Sequence, residues 1–185
     1  MLKPLLIDSK INSFNKKITV SGDKSISIRW ALLASQATGK SIAYNLLMSE
    51  DVMAALVSLK KLGIKINLKK EYCEIIGNGI NGFKYKKNIT IDAKNSGTFG
   101  RLILGLLIKS PHEITLIGDK SLSRRDFSRV TEPLKKFGAK FYYKKKKNKL
   151  PLSIKGLNSP QSINFIEKKG SAQCKSTVML AGLNA

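Results

Sequence analysis

Residues 21–37 read SGDKSISIRWALLASQA, a polar turn holding two cations that runs straight into an almost wholly apolar helix. Ser21 or Asp23 can cap the first turn by accepting from free backbone N–H groups. The positive end of the helix dipole then stands beside Lys24 and Arg29, so the turn is suited to holding a phosphate or carboxylate. Taken alone it reads equally well as an ordinary helix start with solvated cations.

Recurrence breaks that tie. From Ser96 the chain reads SGTFGRLILGLLIKS and from Ser171 it reads SAQCKSTVMLAGLNA, each a small polar turn feeding an apolar helix. Ser25 to Ser96 spans 71 residues and Ser96 to Ser171 spans 75. A second echo, LKKLGIK at 59–65 against LKKFGAK at 134–140, is again offset by 75. An internal repeat therefore sets the architecture, with two full copies and the opening of a third.

Within the first copy, KKITV at 16–20 reads as a strand, followed by a helix over about 25–37 that Gly39 ends. SIAYNLL at 41–47 reads as the next strand. Ser49, Glu50 and Asp51 open an amphipathic helix bearing Met53, Leu56, Leu59 and Leu62 on one face, and Gly63 stops it. IKINLKK and EYCEIIG then form a hairpin, and GNGINGF closes the unit. The second copy repeats the order with NITIDA, the helix from Ser96, HEITLIG, the charged turn DKSLSRRD and a helix lined by Phe127, Val130, Leu134 and Phe137. Gly138 ends that helix, and a hairpin follows around the lysine run at 144–147. The fold class is thus α/β (α+β), made of repeated βαβαββ units. Their first helices are apolar nearly all round, so they are expected to be parallel and buried, with three polar starts around one mouth.

Composition bounds the rest. A chain of 185 residues with 42% hydrophobic content can bury a substantial core. The formal charge of +22 comes from 34 basic residues, mostly Lys, against 12 acidic ones. Those lysines are scattered over nearly every element, unlike the clustered cations and interleaved aromatics of a nucleic-acid binder. The lysine run at 144–147 is expected to be a solvated hairpin. Cys73 and Cys174 are too few and too far apart for a disulfide framework, and both, like the single histidine His112, read as structural. The start of the chain lacks the long apolar run of a secretory signal, and no stretch has the roughly 18 apolar residues of a membrane span. A cytoplasmic protein with reduced thiols is expected.

GDKSISIR at 22–29, NSGTFGR at 95–101, GDKSLSRR at 118–125 and SAQCKS at 171–176 together resemble the motifs of the 3-phosphoshikimate 1-carboxyvinyltransferase (EPSP synthase) family, in its order and spacing. The UDP-N-acetylglucosamine enolpyruvyl transferases share that fold but not the KSIS and SAQxKS wording. The resemblance implies transfer of the enolpyruvyl group from phosphoenolpyruvate to the 5-hydroxyl of shikimate 3-phosphate in chorismate biosynthesis. It implies no cofactor, no metal, no nucleic-acid or membrane partner, and a monomer at full length. Carried over by motif, Lys24 touches both substrates, and Ser25 and Arg29 hold shikimate 3-phosphate. Ser171, Ala172 and Gln173 lie against the same substrate, Gln173 also reaching phosphoenolpyruvate. Gly97 leaves room for phosphoenolpyruvate and Arg125 binds its phosphate. Lys24 and Arg125 are the catalytic residues present.

Each role has a plainer counterpart. Ser25 and Ser171 are good helix-start residues whatever the function, and Gly97 can serve only its turn. Arg101 reads as an ion-pairing or supporting residue rather than a ligand. Arg124, Arg125 and Arg129 stand about a helix start, where unpaired cations oppose the dipole unless an anion is bound. Three positions depart from the family pattern. Ser21 replaces the usual Pro, Ile28 the usual His or Asn, and Asp126 the usual Pro, where its carboxylate is placed to pair with Arg125.

The family enzyme is more than twice this length, with its active site between two such domains. Residues 1–19 are therefore expected to belong to the other domain, and 20–185 to one enolpyruvyl transferase domain with units at about 20–85, 86–158 and 159–185. The family's catalytic Asp lies beyond this chain. Val178, Met179, Leu180 and Leu183 are expected to be partly uncovered. Two other classes stay open on the residues alone. A nucleic-acid binder predicts steeply salt-dependent RNA affinity, and a module that binds a phosphorylated metabolite without chemistry predicts binding with no turnover.

Overall fold

Seven short strands and five helices follow one another along the described residues of this computed structural model, which are 6, 8–10, 12–168 and 170–185. The first set is α1 (Lys24–Gln36), β1 (Thr38–Tyr44), α2 (Glu50–Lys61) and the hairpin β2 (Lys65–Leu68) with β3 (Tyr72–Asn78). The second is β4 (Ile89–Asp92), α3 (Gly97–Leu106), β5 (Ile114–Ile117), α4 (Ser128–Lys136) and the hairpin β6 (Lys140–Tyr143) with β7 (Leu152–Lys155). Helix α5 (Ala172–Gly182) begins a third.

The sheets carry the repeat into space. One has the order β1-β3-β2, all antiparallel; the other has the order β4-β5-β7-β6. There β5-β7-β6 reproduces β1-β3-β2, and β4 is added at the edge parallel to β5. Gly63 and Gly138, at equivalent places, take φ of 86° and 99° and stop α2 and α4, a conformation that only glycine adopts without strain.

Three expectations change at this level. Residues 16–20 form no strand, although β4 occupies the matching place in the second unit. Ile18 and Val20 are 71% and 67% exposed, and the recorded tie is Asn45 Nδ2 donating to the Val20 carbonyl at 3.0 Å. Alternating apolar residues without a neighbouring strand or a core to cover them do not hold a ladder. Gly39 does not end α1. The chain leaves the helix through Ala37 in an extended conformation, and Gly39 lies inside β1. That strand runs over 38–44 rather than 41–47, and Asn45 at φ 55° breaks it.

The two sheets and the helices between them share one apolar cluster, running from Ile28 and Leu32 through Leu56, Leu59 and Ile75 to Phe99, Leu104, Phe127 and Ile154. Helix α3 sits at its centre, with every residue buried except Arg101. Helix α1 is less enclosed than its sequence implies. Ile28 is fully buried, but Ile26 and Leu33 face outward. Leu33, Met179 and Leu183 border an apolar groove of about 260 Å³ between α1, α3 and α5. Of the four residues expected to be uncovered on α5, Leu180 is in fact buried against α3, Val178 is half-buried, and Met179 and Leu183 are exposed.

Candidate functional site

Helix starts position the site, because their first backbone N–H groups have no partner within the helix. Asp23 accepts from Ile26 N at 2.7 Å, Ser96 from Phe99 N at 3.3 Å and Ser171 from Cys174 N at 3.2 Å. The cap of α1 is thus Asp23 and not Ser21, and Ser25 is free of that duty. Ser171 does serve as a cap.

Hydrogen bonds between the helices show that the three starts lie level. On α5, Gln173 Nε2 donates to Thr98 Oγ1 at 3.1 Å and its Oε1 accepts from Arg101 Nη1 at 3.1 Å. One turn deeper, Thr177 Oγ1 donates to the Arg101 carbonyl at 3.2 Å, so α3 and α5 run parallel and in register. Arg29 joins the third helix: Nη1 donates to the Ser25 carbonyl at 3.3 Å and Nη2 to Ser176 Oγ at 3.2 Å. The positive dipole ends of α3 and α5 therefore open in one direction, and Arg29 ties α1 beside them.

Cations gather at that end. A methyl group on Gly97 would stand 2.8 Å from Arg101 Nη1 and 3.0 Å from Arg125 Nη1, so both guanidiniums close on the first residue of α3 where it lacks a side chain. Burial lowers the Arg101 pKa, and repulsion from Arg125 and Arg129 lowers it further. It still remains charged, as arginine does in proteins. Arg101 also donates to the Gly97 and Asp126 carbonyls, both at 3.3 Å, and lies 5.0 Å over the Phe127 ring. These contacts make it a bridge and not an ion-pair partner. The ion pairs seen among the described residues, Lys24–Asp51, Lys40–Glu74, Lys94–Asp92 and Lys135–Glu132, include no arginine.

Asp126 does not take up Arg125. Its carboxylate accepts from the hydroxyl and the backbone N–H of Ser128, which hold it below the usual carboxylate range and tie down the start of α4. Asp119, in the preceding turn, is likewise held low by the Leu122 N–H and by Asn95. Lys24 is engaged, with Nζ 3.0 Å from Asp51 at the start of α2.

The predicted site residues thus fall into two groups. Gly97, Arg125 and Gln173 come together through Arg101, Arg29 ties the Ser25 carbonyl to Ser176 on α5, and Ala172 opens α5 beside its cap Ser171. Lys24 stands at the outer edge, exposed and turned to Asp51. Thr98, Ser176 and Asp51 escaped the sequence reading as contributors. Thr98 is 75 residues before Gln173, the repeat offset itself, and that spacing was the available signal. Cys174 is buried and donates from Sγ to the Arg129 carbonyl, and neither cysteine is in a disulfide. Among the described residues no cluster of three or more His, Cys, Asp or Glu could hold a metal, and no helix is long and apolar enough to cross a membrane.

The family model for EPSP synthase (3-phosphoshikimate 1-carboxyvinyltransferase) matches residues 9–185. This chain belongs to the EPSP synthase family. The 3-phosphoshikimate 1-carboxyvinyltransferase of Lactococcus lactis subsp. lactis is 40% identical over 178 residues, covering 95% of this chain and 41% of that protein. That of Aquifex aeolicus is 39% identical over 176 residues, with 95% and 40% covered. A solved EPSP synthase from Acinetobacter baumannii superposes with a TM-score of 0.85 at 34% identity, covering 92% of this chain and 38% of that one. The chain therefore spans about 41% of the length of the curated relatives it matches. Its mixed α and β units are those of the EPSP synthase fold, and the guanidinium cluster over Gly97 lies within the matched region.

Proposed function

We propose that this chain provides the shikimate 3-phosphate face and part of the phosphoenolpyruvate face of an enolpyruvyl transferase of chorismate biosynthesis. The observation that carries this reading is the convergence of Arg101 and Arg125 over Gly97 at the starts of α3 and α5, while the neighbouring carboxylates Asp126 and Asp119 are held by Ser128 and by Leu122 N and Asn95. Such a cluster is costly when empty and favourable around an anion.

The roles follow the family motifs, and the positions described above support them. Arg125 takes the phosphate of phosphoenolpyruvate, Gly97 leaves the approach open, and Gln173 stands beside the shikimate ring with its amide fixed by Thr98 and Arg101. Arg29 and Ser25 take the shikimate carboxylate, and Ser171 and Ala172 its 3-phosphate through the start of α5. Lys24 lies between the substrates once it leaves Asp51. The reaction adds the shikimate 5-hydroxyl oxygen to phosphoenolpyruvate and then expels phosphate. Holding two highly charged anions in contact requires concentrated cations, and charge at fixed positions stabilises the transition state without reorganisation. Residues 20–185 form one enolpyruvyl transferase domain of a monomeric cytoplasmic enzyme, with residues 1–19 belonging to the other domain. Part of that N-terminal segment lies outside the described residues.

The test is steady-state kinetics on the longer protein. Lys24→Ala and Arg125→Ala should each cost about 2–4 kcal/mol in kcat/KM for phosphoenolpyruvate, by comparison with loss of an oxyanion donor. Arg29→Ala should act chiefly on shikimate 3-phosphate. Parent values in all three, or an Arg29→Ala effect confined to phosphoenolpyruvate, would overturn the assignment.

A further inference from the structure

Arg124 and Arg125 are neighbours in sequence but serve different places. Arg125 closes on Gly97, whereas Arg124 lines a separate open cleft of about 490 Å³ together with Lys120, Lys145, Lys146 and Lys149. That cleft exists because the lysine hairpin is folded back. Phe127 N donates to the Asn148 carbonyl at 2.8 Å, and Lys149 N to the Lys146 carbonyl at 3.2 Å, so the tip of the β6–β7 hairpin is fastened to the start of α4. Lys145 and Lys146 of the run, with Lys149 just beyond it, are thereby brought against the turn carrying Lys120 and Arg124.

No carboxylate lines the cleft, and none of its five cations takes part in the ion pairs seen among the described residues. Asp126 lies close enough to Lys149 to feel its charge, but its oxygens are bound by Ser128. Asp119, next to Lys120, is bound by Leu122 N and Asn95. The cleft wall adds the Ser123 hydroxyl and the apolar edge of Leu150 and Pro151.

We infer that this cleft is a second anion site, distinct from the one over Gly97, which takes the di- or triphosphate group of a small molecule. One phosphate carries at most about two charges and cannot neutralise five cations, while the volume is that of a small-molecule pocket. The inference does not depend on the enolpyruvyl transfer proposal, because it uses none of the residues assigned to that site.

The test is calorimetric titration of the chain with inorganic tripolyphosphate at about 0.15 M ionic strength, where diffuse attraction is screened beyond about 8 Å. The variant Lys145→Ala/Lys146→Ala/Lys149→Ala should weaken binding at least about tenfold, since each side chain is a charge-assisted donor. The control Lys65→Ala/Lys69→Ala/Lys70→Ala, with the same loss of charge on exposed positions, should leave it unchanged. Inorganic phosphate should bind at least about tenfold more weakly than tripolyphosphate. Equal effects of the two triple variants, equal affinity for the two anions, or no binding by the parent chain would overturn the inference.

Discussion

Arg101 on α3 donates from Nη1 to Gln173 Oε1 on α5 at 3.1 Å, and with Thr98 it fixes both ends of the Gln173 amide. The same guanidinium bonds two carbonyls and covers the Phe127 ring, so it is a half-buried connector among α3, α5 and the loop before α4. Arg101→Ala should destabilise the chain by about 2–3 kcal/mol, from acceptors left unpaired and a lost cation–π contact. A double-mutant cycle with Gln173→Ala, read by denaturant unfolding, should give a coupling of about 0.5–3 kcal/mol. Additive effects would show that the bond contributes nothing.

Gly97→Ala should separate binding from stability. The added methyl meets the guanidinium ends of Arg101 and Arg125, with Leu122 at ordinary contact distance; Arg125 can swing away, Arg101 moves only by loosening its bond to Gln173, and Ala is the better helix former by up to about 1 kcal/mol. The melting temperature should fall by less than it does in Arg101→Ala, while the longer enzyme shows a raised KM for phosphoenolpyruvate and an unchanged KM for shikimate 3-phosphate. A loss of stability with unchanged KM would place the role of Gly97 in packing.

Helices and hairpins were readable because their signals are local: Gly63 and Gly138 stop helices through their own φ, and the apolar faces of α2 and α4 repeat at helical spacing. Residues 16–20 misled because a strand is made by its neighbour, and among the described residues none stands beside Ile18 and Val20. Site residues were legible as types, since the polar helix starts are written in the repeat. Their partners were not. Whether Asp126 turns to Arg125 or Ser128, and whether Lys24 finds Asp51, depends on how the turn before α4 and the start of α2 are placed. The lysine run read correctly as a surface hairpin, but its approach to Lys120 and Arg124 depends on the bond from Phe127 N to the Asn148 carbonyl, across some twenty residues of chain.

Asp126 should tolerate change without loss of the anion site. Arg101 bonds its carbonyl and not its carboxylate, so Asp126→Ala removes the bonds to Ser128, a loss of about 1 kcal/mol at neutral pH, and a weaker attraction to Lys149 and Arg101. Because its folded pKa is depressed, that stabilisation is present above the unfolded value of about 3.9 and is lost as pH falls through the folded one. Denaturant unfolding of the parent and Asp126→Ala should therefore differ at pH 7 and converge in acid, once the folded carboxyl is protonated as well. Asp126→Pro should behave like the Ala variant, since Arg125 is already extended as a residue before proline must be. A gap that persists in acid would mean that something other than the carboxylate is responsible.

Cys174 gives the opposite pH dependence. Burial, reinforced by hydrogen bonding and repulsion from Glu167, pushes its thiol from 9.0 up to about 12, with Arg129 opposing only in part. At neutral pH the folded chain then holds about a thousandfold less thiolate at this position than the unfolded chain, and thiolate is the reactive form. Iodoacetamide at pH 7.5 should leave Cys174 unlabelled in the native protein and label it in denaturant, as read by peptide mass spectrometry. The linkage has a definite sign. A raised folded pKa stabilises fully below pH 9.0, and that contribution disappears as pH climbs towards about 12, because the unfolded chain ionises first. Lysines and tyrosines also titrate in that range, so the informative quantity is the difference between the parent and Cys174→Ala: it should shrink steadily from pH 8.5 to 11. A constant difference, or rapid native labelling, would show that the thiol is not held neutral by its surroundings.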